Sequence, residues 1–289
     1  DYRERETHPL DFIGLVLFGG GIALLSYVLE VFGDHSLSGP EMLGLLALAA
    51  LLLAGYGLRA SLTAFPLLNL GLFKIRTFRA AVSGGFVARL GLGGIPFLFP
   101  LLYQIGLGFS PVQSGLLVLP QAVASLGMKA IMPAILARLG YRTVLVGNTI
   151  VVGLLIMSFS TVGADTPIWQ IVLQAFLLGF FTSMQYTSMN TLVYADITGP
   201  QTGGASTIAA TGQQLAISFG VAGAALIAAI FVPPEMHSHP DVIIHGAQQA
   251  FLALGLLTVV SSAVFLELRA DDGADMSRHA AGPRLPAKQ

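Results

Sequence analysis

Cysteine is absent from all 289 residues, which removes disulfide frameworks, thiolate nucleophiles and cysteine-type metal centres together. Charge is scarce as well. Lys, Arg, Asp and Glu make up 10% of the chain, against about a quarter of an ordinary soluble domain. The net charge of −1 carries no signal for nucleic acid or acidic partners. No Gly-x-x-x-x-Gly-Lys-Ser/Thr run occurs, so nothing points to an ATP-driven machine. The long apolar segments hold no histidine or carboxylate deep enough to form a nucleophile–base or metal set, so an enzyme is not expected and no cofactor is called for. The chain opens Asp1-Tyr2-Arg3-Glu4-Arg5 with no initiator methionine or signal peptide, and an upstream portion is therefore expected.

What is present is apolar length. Hydrophobic residues are 54% of the chain and mean hydropathy is +0.78. Eight segments reach the roughly 17–25 residues that a bilayer-crossing helix needs: 10–31, 42–58, 78–104, 111–136, 144–162, 168–194, 205–232 and 247–268. Period-2 alternation is missing and the runs are continuous, so helices rather than barrel strands are expected. The fold class read here is an all-α membrane protein of eight transmembrane helices. It divides into a two-helix unit at 1–60, a linker at 61–77 on the cytoplasmic side, a six-helix unit at 78–269 and a disordered cytoplasmic tail at 270–289.

Basic residues set the orientation. Arg3, Arg5, Arg59, Lys74, Arg76, Arg79, Arg138, Arg142, Arg269, Arg278, Arg284 and Lys288 all fall in connections of one side. The connections at 32–41, 105–110, 163–167 and 233–246 hold no Lys or Arg. The positive-inside rule then predicts that both termini are cytoplasmic.

Two cations stand apart from that pattern. Arg89 comes ten residues after Arg79, about 15 Å along a helix and close to the middle of a roughly 30 Å hydrocarbon core. Gly91, Gly93, Gly94, Pro96 and Pro100 follow at once. A charge beside a broken helix at that depth marks a helix lining a pathway. Snorkelling back toward the headgroups is the plainer alternative. Its expected partners are freed backbone carbonyls such as that of Leu92, substrate, water or a helix outside this sequence. Lys129, between Pro120 and Pro133, is the second; its Cα–Cβ vector leans toward the bilayer centre.

Polar side chains fill in the candidate pathway. Gln174, Phe181, Gln185, Ser188 and Leu192 fall on one helical stripe at 100° per residue, facing either a cavity or another helix. Gln104, Gln121, Gln213 and Gln214 are weaker candidates of the same kind. Gly212, Gly220 and Gly223 read as close-packing positions. His237, His239 and His245 with Glu235 and Asp241 have metal-ligand chemistry, but the Pro-rich connection gives them no rigid scaffold, and no metal is assigned.

Residues 78–232 resemble the C-terminal half of the fourteen-helix drug:proton antiporters of the major facilitator superfamily. The resemblance is carried by ARLGLGGIPFLFPLLYQIGLGFSPVQSGLL at 88–117, GMKAIMPAILARLGYRTVL at 127–145 and QYTSMNTLVYADI at 185–197. PLLNLGLFKIRTFR at 66–79 is similar to the family's linker into its second half, and residues 10–58 would be its two extra helices. Of the family's cytoplasmic loop signature, Gly-x-x-x-Asp-Arg-x-Gly-Arg-Arg, Arg138, Gly140 and Arg142 match, while Pro133 and Ala137 replace the Gly and the Asp. The resemblance implies a C-terminal portion of one transporter in a bacterial inner membrane, surrounded by lipid. It would export small amphipathic compounds in exchange for protons, with a missing N-terminal six-helix half as its partner. A non-transporting orphan half, structural or regulatory, is the competing expectation.

Overall fold

The computed structural model describes residues 11–34, 39–63, 67–231 and 239–277. Regular structure among the described residues is entirely helical. We number the helices α1 (Phe12–Asp34), α2 (Gly39–Leu62), α3 (Arg76–Gly106), α4 (Pro111–Ser158), α5 (Ile168–Leu192), α6 (Thr202–Phe231), α7 (Pro240–Phe265) and the single turn α8 (Ala274–Ser277). Six of them, α2 to α7, are long and apolar enough to cross a membrane, and α1 adds a shorter apolar helix over Phe12–Val28. The expected segments at 111–136 and 144–162 run together as one 48-residue helix, because the connection between them shrinks to one residue. That residue is Gly140, at φ 71° and ψ 164°, a backbone region essentially confined to glycine. It divides α4 into limbs 111–139 and 141–158.

The chain forms two compact units, Asp1–Leu72 and Phe73–Gln289. In the first, α1 packs on α2. Asp11 caps α1 by accepting from the Gly14 N–H at 2.9 Å, and also accepts from Arg59 Nε at 2.7 Å. The Gly14 N–H, then Arg59, hold its carboxyl below the usual carboxylate range. Tyr56, buried and stacked obliquely on Phe18, accepts from the Leu68 N–H at 2.7 Å and so fixes the chain after α2.

In the second unit α4 packs against α5 and α7, while α6 and α7 both pack against α3. Its core holds a run of packed rings: Phe99 lies 5.2 Å from Tyr103 and, tilted, 5.1 Å from Phe159, and Phe159 lies 5.4 Å from Phe251. Glycines set the tightest approaches. A Cβ on Gly153 would stand 2.7 Å from the Gly255 carbonyl, and one on Gly255 would stand 2.6 Å from the Gly153 carbonyl, so α4 and α7 meet backbone to backbone. Gly220 meets the Leu90 carbonyl in the same manner, as its sequence context suggests, whereas Gly223 has open space and Gly212 only ordinary contact. Val112, Leu116, Leu119, Val123 and Leu126 of α4 stay exposed, which a lipid solvent permits and water would penalise.

Two expectations change here. Residues 270–277 are not a disordered tail. Asp272 is 9% exposed and accepts from Arg76 Nε at 2.9 Å, Arg76 Nη2 and the Arg269 N–H at 2.8 Å, and α8 follows it. A buried ion pair outweighs the polar composition that suggested disorder. The connection expected over 233–246 is helical from Pro240, where proline at the first helical positions suits a helix start. Asp241 and His245 therefore sit on α7; Glu235 and His237 lie outside the described residues, as do Arg3, Arg5, Arg278, Arg284 and Lys288.

Candidate functional site

A groove of about 1080 Å³ opens between α3, the first limb of α4 and α5. Each wall has a local cause. Along α3 the helix is irregular where it borders the groove: it turns at Gly94, restarts at Ile95–Pro100 and widens to a π-helix over Leu101–Gly106. Pro96 and Pro100 both line the groove and cannot donate to the preceding turn, which keeps this wall from closing into a regular helix. The α4 wall begins with a capping box. Ser110 Oγ accepts from the Gln113 N–H at 3.3 Å, and Gln113 Oε1 accepts from the Ser110 N–H at 2.9 Å.

The α4 and α5 walls are locked in register. A Cβ on Gly179 would stand 2.5 Å from the Gln121 Cα and would overlap the Gln121 carbonyl, so the two backbones touch. One turn on, Ser183 Oγ donates to the Ser125 carbonyl at 3.0 Å. A further turn brings Lys129 to the level of Thr187, both lining the groove. The opposite end, by contrast, carries Pro111, Ser114 and Gln104.

Arg89 lies behind this wall, 5% exposed. Its side chain folds back one turn along α3: a Cβ on Gly85 would stand 2.6 Å from Nη1. Nη2 donates to Asn190 Oδ1 at 2.8 Å, and the guanidinium carbon stands 5.1 Å from the centre of the Tyr186 ring. Nε has no partner among the described residues. The expected partners did not include a neutral amide on α5; Asn190 and Tyr186, both groove residues, take that place. The glycines after Arg89 also have a different cause from the one expected. Gly91 faces Thr258 and the Leu254 carbonyl of α7, Gly93 faces Ile217 of α6, and Gly94 faces the Gly220 carbonyl. They admit neighbouring helices rather than a ligand.

The other sequence-derived candidates fall into four groups. Gln104, Gln121 and Lys129 line the groove. Gln174, Phe181 and Gln185 belong to the contact between α5 and the second limb of α4, and Ser188 is buried. Gln185 Nε2 donates to Thr149 Oγ1 at 2.7 Å, Asn148 Nδ2 donates to Gln185 Oε1 at 2.7 Å and to the Phe181 carbonyl at 2.9 Å, and Gln174 Nε2 donates to the Ser158 carbonyl at 3.1 Å. Ser188 Oγ donates within its own helix to Met184, 2.8 Å away. Gln213 and Gln214 are exposed on α6, away from the groove. Arg138 and Arg142 are exposed on either side of the Gly140 break.

Reasoning from the stripe missed Thr182, Ser183, Tyr186, Thr187, Asn190 and Thr191, which line the groove from α5. Gly179 was the available signal, being a helix-interior glycine one turn ahead of Ser183.

Apolar helices with lipid-facing leucines and valines, and polar groups turned into a deep groove, define a multi-pass membrane protein. No family model matches the chain. It is 32% identical over 262 residues to a protein of Pectobacterium atrosepticum, covering 90% of this chain and 56% of that protein. It is 30% identical over 271 residues to one of Serratia proteamaculans, covering 94% of this chain and 57% of that protein. It is 34% identical over 226 residues to one of Escherichia coli O7:K1, covering 78% and 48%. All three are provisionally named multidrug resistance protein MdtD. Over nearly its whole length the chain is similar to part of a transporter of the major facilitator superfamily. It spans about half the length of the curated relatives it matches, the extent expected of the C-terminal part of such a transporter.

Proposed function

We propose that this chain is the C-terminal part of a proton-coupled exporter of small amphipathic compounds, and that the groove between α3, α4 and α5 is its share of the substrate pathway. The groove itself carries the reading: a membrane-embedded cleft of about 1080 Å³ with apolar walls and a few convergent polar groups is the ordinary form of a small-molecule site. The relatives' names support the substrate class, and the family resemblance alone supports the proton. On this reading the helix count is eight, taking α1 as a span and α4 as two spans hinged at Gly140, and both termini are cytoplasmic. The remaining six helices are supplied from outside these 289 residues.

The test fills the groove. A Cβ on Gly115 meets nothing within 4 Å, and Gly115 lines the groove, so Gly115→Trp projects an indole into it without disturbing the helix. In cells producing the full-length polypeptide that contains this sequence, Gly115→Trp should reduce energy-dependent efflux of an amphipathic dye at least tenfold at equal membrane abundance. Wild-type efflux by the variant would place the pathway elsewhere.

A further inference from the structure

The groove has charge of one sign only. Lys129 lines it, Arg89 lies directly behind two of its lining residues, and no aspartate or glutamate lines it among the described residues. The two cations also sit at the same end. The pairs Gln121 with Gly179 and Ser125 with Ser183 put Lys129 level with Thr187. Tyr186 and Asn190, which hold the Arg89 guanidinium, are one residue before and three residues after that level, within about 5 Å along the axis. The other end, with Ser114 and Gln104, carries no charge, and Leu92, Phe99 and Val118 give the long walls apolar surface. Among the described residues the Arg89 charge is met only by a neutral amide oxygen and a ring face, and Nε has no partner. A guanidinium nineteen-twentieths buried without a carboxylate is electrostatically incomplete.

We propose, building on the reading of the groove as the substrate pathway, that its substrates are organic anions. The apolar body would lie along α3 and α4, and a carboxylate, sulfonate or phosphonate would lie at the Lys129 end. There Lys129 meets the anion directly. Asn190 is the exposed partner that an incoming oxygen would replace on Arg89 Nη2, completing the fork. A cationic amphiphile of the same size meets two like charges in a low-dielectric cleft and is disfavoured.

The experiment uses three dansyl probes of one size class: dansylglycine (anionic), dansylamide (neutral) and dansylcadaverine (cationic). Each is titrated by fluorescence against the full-length transporter in nanodiscs of zwitterionic lipid, so that the membrane contributes no charge preference. Gly115→Trp defines the groove-dependent part of the signal. Dansylglycine should bind at least tenfold tighter than dansylcadaverine. Because Arg89 is buried and its loss can impair folding, the deciding variants are at Lys129, which is exposed. Lys129→Gln should weaken dansylglycine about three- to tenfold with dansylamide unchanged, and Lys129→Glu should reverse the order of the charged probes. Groove-dependent binding that favours dansylcadaverine, or an order indifferent to Lys129→Glu, overturns the anion assignment and leaves the groove intact. Binding by all three probes that ignores Gly115→Trp overturns the groove as the site, and the anion assignment with it.

Discussion

At the scale of single residues, Arg89 separates anchoring from recognition. Lysine carries the same charge on a stem that can also reach back toward Gly85. It cannot donate to Asn190 Oδ1 and at the same time lay a planar cation over the Tyr186 ring. We expect Arg89→Lys to insert and fold yet to lose most transport, at least tenfold in efflux rate per folded molecule, with Arg89→Ala no better. Folding is checked by monodisperse elution in detergent. Efflux at the wild-type rate by Arg89→Lys would mean that the side chain only anchors. Gln185 makes the opposite case. Replacing it with leucine takes one buried partner from Asn148 Nδ2, which keeps the Phe181 carbonyl, and one from Thr149 Oγ1, which keeps the Leu145 carbonyl, at about 0.5–1.5 kcal/mol per lost bond. Gln185→Leu should therefore lower the melting temperature while leaving the substrate preference of surviving molecules unchanged.

The same two residues show how far side-chain roles could be read in advance. That Arg89 is special follows from charge at depth, which composition and spacing reveal. That its partner is Asn190 does not, because the pairing spans 101 residues and depends on how α3 meets α5. On α5, a strip of glutamines and a phenylalanine drew attention as the polar face. In a lipid-facing bundle a large amide is as useful for joining helices as for meeting a ligand, and here Gln174 and Gln185 join α5 to α4. Beside Tyr186 and Asn190, the groove face carries smaller groups, Thr182, Ser183 and Thr187, whose single hydroxyls leave a weaker mark in hydropathy than glutamines do.

At the scale of elements, continuous apolar length located the helices to within a few residues at most ends; α7 starts seven residues earlier than expected. Periodicity could not show that the helices at 111–136 and 144–162 would be separated by one residue. The Gly140 backbone makes that possible. Its conformation suits glycine alone, which gives a physical reason for the glycine between Arg138 and Arg142 that owes nothing to gating. Gly140→Ala should destabilise the protein by about 1–3 kcal/mol, seen as an earlier thermal unfolding transition. Gly147→Ala, at a position with open space around a Cβ, should not. Topology is open to test at the same scale because no cysteine competes. Asp165→Cys should react with a membrane-impermeant maleimide in intact cells, and Arg138→Cys should not until the membrane is opened. The reverse pattern would invert the proposed orientation.

At the scale of the whole molecule, three polar contacts gather the ends of the second unit. Arg76 pairs with Asp272, Arg79 with Glu267, and Thr77 Oγ1 donates to Asp196 Oδ2 at 2.8 Å. Burial pushes the Asp272 carboxyl up, but the Arg76 guanidinium and the Arg269 N–H outweigh it and hold the carboxyl below its ordinary 3.8. A carboxyl depressed in the folded state contributes stability that is complete above its unfolded value and disappears as pH falls through the folded one. Stability should accordingly be flat from pH 7 to about pH 5 and fall below about pH 4. Asp272→Asn should cost about 1–2 kcal/mol at neutral pH and remove part of that acid dependence. Thermal melts of the two proteins across pH 3–7, diverging at pH 7 and converging at pH 3, are the expected result.

The Arg76–Asp272 pair also has a history in time. The two residues are 196 positions apart, and at roughly 5–20 residues per second the ribosome delivers Asp272 some 10–40 s after Arg76. For that interval the start of α3 is already made while its carboxylate does not yet exist. Tyr141 and Gly273 meet under the same constraint, since a Cβ on Gly273 would lie 2.5 Å from the Tyr141 ring. Of the three contacts, the Arg76–Asp272 pair is thus the last that synthesis makes possible. A message truncated just after Leu268 would keep every long helix, the Arg79–Glu267 pair and the Thr77–Asp196 bond, and of the three would lose the Arg76–Asp272 pair alone.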